Sequence, residues 1–151
     1  MNGAEPHPSA REFFDSNVIV YALAEADDPK TARKRETARR TLVAAATRKR
    51  AVVSAQVLGE SYVTLVRKGA TPMAPSVAAD HLRGIATLRV VPLTGDLVFR
   101  AIELQGEHQL SYWDALIVAA AEDADCATLW SEDLSDGRVF GTVTVRNPFR
   151  Q

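Results

Sequence analysis

The chain has 151 residues, 46% of them apolar, and a formal net charge of −1. That length fits one domain of ordinary size with a sizeable core, and the near-neutral balance excludes a protein held to polyanions by bulk charge alone. The single cysteine, Cys126, excludes an intramolecular disulfide and a cysteine-based zinc site.

The N-terminal stretch MNGAEPHPSARE lacks the apolar core of a signal peptide. Residues 1–10 are expected to form a loose tail ahead of one domain over residues 11–151. No apolar run approaches the roughly 18 residues of a membrane span, so the expected compartment is the cytoplasm.

Glu12 to Asp15 reads as a short buried strand. Ser16 is placed to cap a helix reaching about Glu25, and Asp27-Asp28-Pro29 breaks it and starts a second helix running to about Arg48. Ala51 to Ser54 is a valine-rich strand. Ala55 to Lys68 is helical, with Leu58, Tyr62, Leu65 and Val66 at helical spacing and Gly69 as its stop. Pro72 and Pro75 mark a loop before a helix from about Ala74 to Ala86. Leu88 to Val91 is a strand. Thr94 caps a helix to about His108, and Ser111 caps another from Tyr112 to about Asp123. Ala127 to Trp130 and Thr142 to Val145 complete the strands. This alternation predicts an α/β domain with a central, mostly parallel sheet of four or five strands flanked by helices.

The near-zero total charge hides an asymmetry. Nine of the 18 basic residues lie between Lys30 and Arg50, opposed there only by Glu36, while acids gather late, from Glu122 to Asp136. The basic segment, with Arg39, Arg40 and Arg48, admits two readings: contacts to RNA phosphates, which give affinity and orientation but no sequence readout, or a solvated helix face. Trp113 and Trp130 have the chemistry to stack on bases, yet both border apolar segments, and core packing is the preferred expectation. His7, His81 and His108 are dispersed and read as structural or surface residues.

Four acids sit where strands or helices begin or end. Asp15 closes the apolar run in FFDSNVIVY, Glu60 lies in QVLGESY, Asp114 opens SYWDALIVAAA, and Asp133 follows a strand in TLWSEDLSDG. In open α/β sheets ligands bind outside the carboxyl ends of the strands. Each acid also has an ordinary explanation: Asp15 as a helix cap, Asp114 at the third helical position of a capping box opened by Ser111, Glu60 as a solvated helix residue, Asp133 as part of a polar loop. Their combination points further. Two like charges 4 Å apart repel by about 4 kcal/mol at an effective dielectric near 20. Converging carboxylates therefore hold protons or enclose a cation. All-oxygen donors suit Mg²⁺, with Mn²⁺ as a substitute, better than zinc.

These motifs, in this order and with the closing Asn147-Pro148-Phe149, resemble the acidic motifs of PIN-domain ribonucleases. The similarity is greatest to the toxin halves of bacterial VapBC-type toxin–antitoxin pairs, and it spans nearly the whole chain from Phe13. The resemblance implies Mg²⁺-dependent hydrolysis of RNA leaving a 5′-phosphate, a cognate antitoxin partner and a homodimer. It assigns Asp15, Glu60, Asp114 and Asp133 to catalysis and metal binding, with Asn17 and Ser131 orienting the acids or their waters. Asp136 stands where relatives often carry histidine and is either a fifth acid or a solvated loop residue. Two alternatives are a non-catalytic PIN-like module that binds RNA or protein, and a phosphatase of the haloacid dehalogenase type. The latter looks for a second acid where this chain has Asn17. No G-x-x-x-x-G-K stretch occurs, which excludes a phosphate-loop nucleotide binder.

Overall fold

Short apolar runs and amphipathic stretches alternate along the chain, and each becomes one strand or one helix. The computed structural model describes residues 10–67 and 72–150. In order it contains β1 (Arg11–Phe14), α1 (Ser16–Leu23), α2 (Pro29–Thr47), β2 (Ala51–Ser54), α3 (Ala55–Arg67), α4 (Pro75–Ile85), β3 (Arg89–Val91), α5 (Gly95–Glu107), α6 (Tyr112–Asp123), β4 (Cys126–Trp130), β5 (Val139–Phe140) and β6 (Val143–Arg146). The expected N-terminal tail, including His7, and the helix stop at Gly69 lie outside the described residues.

The strands form one sheet in the order β3-β2-β1-β4-β6-β5. All neighbours are parallel except β5 and β6. The sheet thus has six strands rather than four or five. The additional strand, β5, is two residues long and pairs back on β6 through a tight turn at Gly141, whose φ of 59° suits glycine.

The chain leaves β1 toward β2 and β3 on one side, then returns through α5 and α6 to β4 on the other. The strand order therefore reverses beside β1, and a crevice opens at the carboxyl ends of β1 and β4. Phe13 and Phe14 are fully buried under this point, each contributing about 1.5–3 kcal/mol by leaving water. Helix α6 is buried along its whole run from Ala115 to Ala121, as its uninterrupted apolar sequence requires. Arg100 of α5 forks onto Glu122 of α6 at 2.8 and 3.1 Å and fixes the two helices together. Cys126 is buried, and burial pushes its thiol up to about 12, well out of the reactive range. Among the described residues no helix is long and apolar enough to cross a membrane.

Local boundaries follow from capping. Asp28, Thr94 and Ser111 each accept a hydrogen bond from a first-turn N–H, as their sequence positions predict. Of the two caps the sequence allows for α1, Ser16 and Asp15, the N-cap is Asp15. Its carboxylate accepts the Ser16 N–H at 2.7 Å, and its carbonyl accepts from Val18 and Ile19.

Candidate active site

Backbone pairing carries two of the acids to the sheet edge. The N–H of Asp15 bonds the Trp130 carbonyl at 3.0 Å, extending the β1–β4 ladder beyond Phe14, and the N–H of Ser131 bonds the Arg146 carbonyl at 3.0 Å. Asp15 and the Ser131–Asp133 turn are thereby fixed side by side at the ends of two neighbouring central strands.

Asp15 is buried. One of its oxygens accepts from the Ser16 N–H, and the other accepts from Ser131 Oγ at 2.7 Å and Asn17 Nδ2 at 3.3 Å. The same Asn17 nitrogen donates to Asp133 at 3.1 Å, so one amide spaces two carboxylates. On the other side of Asn17, its Oδ1 accepts the Glu132 N–H at 3.1 Å. Ser131 Oγ in turn accepts the N–H groups of Asp133 and Leu134 at 3.2 and 3.3 Å.

Glu60 joins the cluster from α3. Ser16 Oγ donates to it at 2.9 Å, and Gln56 Nε2 donates to its other oxygen at 2.7 Å. Gln56 also donates to the carbonyl of Trp113 at 3.1 Å, which brings the first turn of α6, and with it Asp114, against the start of α3. The N–H of Asp114 is capped by Ser111 Oγ at 3.1 Å. Its carboxylate accepts no hydrogen bond among the described residues, so the cap is made by the backbone and the charge is left over.

The electrostatics reflect this gathering. The Asp15 carboxyl is pushed up to about 6, first by burial and then by the nearby charges of Asp133 and Glu60, against the lowering effect of its hydrogen bonds from Ser131 and Ser16. A buried carboxylate between two other acids is stabilised by a cation, and the donor set is all oxygen. Among the described residues no three acid, histidine or cysteine side chains converge closely enough to ligate one ion directly. This arrangement still suits Mg²⁺, which retains several waters and binds through one or two carboxylates.

The remaining predicted residues fall elsewhere. Asp136 accepts the N–H of Asn147 at 2.8 Å and faces Arg150 at 3.8 Å. Its bonds hold the C-terminal turn and do not join the acids, so it is neither a fifth acid of the cluster nor a merely solvated loop residue. Arg39, Arg40 and Arg48 are all exposed, but Arg39 Nε also donates to the carbonyl of Ala22 at 2.7 Å, pinning α2 to the end of α1. Trp130 packs against the core and donates to Glu12 at 3.0 Å, as expected. Trp113 contradicts the core-packing expectation: it is 62% exposed, because the second residue of a helix entering the core edge-on still points to solvent. His108 packs edge-on to Phe140, and His81 is exposed.

Sequence reasoning missed four participants. Ser16 was taken for a cap, yet its hydroxyl serves Glu60. Gln56 precedes Glu60 by one helical turn, a readable spacing. Glu132 and Lys34 form an ion pair across 98 positions of sequence, for which no local signal exists. Glu132 holds Lys34 in its charged form, raising its pKa.

The family model of the PIN domain matches residues 13–135. No curated protein sequence matches significantly. Among solved structures, the chain resembles VapC20 of Mycobacterium tuberculosis, described as a sarcin–ricin loop cleaving toxin, at 24% identity and a TM-score of 0.59, with 81% of this chain and 89% of that one covered. It resembles a chain of a toxin–antitoxin complex from Klebsiella pneumoniae at 18% identity and a TM-score of 0.66, covering 91% and 97%. A chain of VapBC2 from Rickettsia felis, bound to a promoter DNA fragment, is similar at 17% identity and a TM-score of 0.65, covering 90% and 97%.

Proposed function

The chain belongs to the PIN-domain family, and from that premise we propose that it is a divalent-metal-dependent ribonuclease acting as the toxin of a toxin–antitoxin pair. The observation that carries this reading is the buried Asp15 carboxylate at the strand-order reversal, flanked by Asp133 and Glu60 and raised to about 6. In this reading Asp15, Glu60, Asp114 and Asp133 hold the cation, Mg²⁺ or Mn²⁺. When bound, it supplies positive charge against the anionic phosphate and acidifies water.

The chain's own residues set the geometry. Ser131 and the Ser16 N–H fix Asp15 in one rotamer, and Asn17 keeps Asp133 at a set distance from it. Gln56 ties Glu60 to the turn that bears Asp114. The carboxylate of Asp114, without a hydrogen bond among the described residues, is open to a ligand. Exposed Trp113 beside Asp114 offers a flat face to a nucleotide base.

An antitoxin and a second copy of the chain are the proposed partners. The kinship in fold with chains of toxin–antitoxin complexes supports the first. For the second, Tyr62 and Val63 are 37% and 46% exposed on α3, whereas Leu65 is buried and belongs to the chain's own core. Co-expression with a neighbouring reading frame and sizing of the product test both.

Purified protein incubated with RNA, DNA and a generic phosphomonoester tests the activity. Mg²⁺-dependent cleavage of RNA alone is expected. Turnover of the phosphomonoester would favour the phosphatase alternative, in which position 17 should bear an acid rather than this bridging Asn17. RNA binding without cleavage would favour the non-catalytic module.

A further inference from the structure

The ion pair between Lys34 and Glu132 lies next to the acidic cluster but is not part of it. Lys34, on α2, donates to Glu132 and to the Tyr21 hydroxyl, the latter at 3.3 Å. Its ammonium also stands 4.9 Å from the centre of the Tyr21 ring and 5.2 Å from that of Phe149, both within cation–π range. The two rings meet edge-on at 5.0 Å. Phe149 is held by Asn147, whose Oδ1 accepts its N–H at 2.9 Å, and Asn147 is held by Asp136. Asp136 and the Asn147-Pro148-Phe149 turn, which take no part in the acidic cluster, thus build a platform for one lysine.

That lysine reaches the site by a short path. Lys34 holds the Glu132 side chain, and the Glu132 N–H holds Asn17 Oδ1. This last bond decides which way the Asn17 amide faces, because a backbone N–H donates and only the oxygen end of the amide can accept it. With the oxygen committed, Nδ2 must point to Asp15 and Asp133. An amide turned the other way would set an oxygen against two carboxylates.

We propose that Lys34 is a positioning residue of the acidic site, acting through Glu132 and the Asn17 amide to fix the separation of Asp15 and Asp133. The inference rests on the reading of that cluster as a cation site. Groups that hydrogen-bond the ligands themselves, as Asn17 does here, are worth about 10- to 100-fold in metal affinity when removed, and a residue acting through Asn17 is expected at the low end of that range.

The test is Mn²⁺ binding by isothermal titration calorimetry on the full chain, with melting followed in chelator. Lys34→Met keeps the packing stem and loses the charge; it should weaken Mn²⁺ binding about tenfold. Glu132→Gln should weaken it comparably, and the double variant should be no weaker than either single one, because the two act along one path. Lys34→Arg keeps a cation for Glu132 in a different shape, and should lose less Mn²⁺ affinity than the roughly tenfold of Lys34→Met. Should Lys34→Met fail to fold, Lys34→Arg and Glu132→Gln carry the comparison. Wild-type affinity in Lys34→Met or Glu132→Gln, at whatever melting temperature, overturns the inference, as do independent losses that multiply in the double variant. Asp133→Asn separates this failure from the larger one. If it weakens Mn²⁺ binding while Lys34→Met does not, only the positioning role falls. If wild type binds no Mn²⁺, the cation site falls and this inference with it.

Discussion

Ser131 donates its hydroxyl to Asp15 at 2.7 Å across 116 positions of sequence. The same oxygen receives the N–H groups of Asp133 and Leu134, so one small side chain joins the carboxyl end of β1 to the turn after β4. Ser131→Ala removes a bond to a buried carboxylate and strands two backbone donors. The expected cost is about 1–3 kcal/mol of stability, read by denaturant melts, with RNA cleavage reduced. Unchanged stability would mean that water replaces the hydroxyl and that the turn is held elsewhere.

The raised pKa of Asp15 makes a prediction about pH. In the metal-free protein the folded state binds this proton more tightly than the unfolded chain, whose carboxyl titrates near 4. The stability it contributes is fully present below about 4 and is lost as pH rises through about 6. Asp15→Asn has no such dependence and retains a capping oxygen. In chelator the gap in stability between it and wild type should therefore shift in favour of wild type by up to about 3 kcal/mol as pH falls from 7 toward 4, on top of a constant cost for the accepting oxygen that the amide gives up. A gap that stays flat across this range would show that Asp15 is not held against its own charge.

Asp114 has two separable roles. Its N–H makes the capping bond to Ser111, while its carboxylate makes none among the described residues. Asp114→Asn should keep the fold and melting temperature in chelator but lower RNA cleavage by at least about 100-fold, and Mg²⁺ should stabilise it less than wild type. Normal cleavage would leave Asp114 as a helix-start residue alone.

The basic segment divides into unlike members. Arg39→Ala loses the bond to the Ala22 carbonyl and should cost about 1 kcal/mol of stability. Arg40→Ala with Arg48→Ala should leave melting unchanged but weaken RNA binding and reduce its salt slope by about two. If the slope is unaltered, these exposed arginines are a solvated face.

Much of this was legible in the sequence because it is local. Helix starts at Asp28, Thr94 and Ser111 are written in single residues, and the strand–helix alternation fixed the class of fold. Asp15, Asp114 and Asp133 stand out because they lie at or beside the end of an element with apolar neighbours, whereas Glu60 lies inside α3 and stands out only by the apolar residues around it. What failed was decided at a distance or by a margin of one residue. Of the two candidate caps of α1, Asp15 takes the position, and the Ser16 hydroxyl donates to Glu60 on another helix. Strand β5 is too short to show alternation, and only its turn at Gly141 marks it. Trp113 looked like core because the helix beyond it is core, yet the helix entry leaves its ring in solvent. The link from Lys34 to Glu132 depends on tertiary packing that no window of sequence contains.

The central claim, that these carboxylates form a cation site, is tested most directly by anomalous scattering from crystals grown with Mn²⁺. The expected result is a peak at roughly 2.1 Å from Asp15, with at least one of Glu60, Asp114 and Asp133 also in contact directly or through one water. Crystals saturated with Mn²⁺ that show no peak at Asp15, or a peak only at other acids, would contradict it.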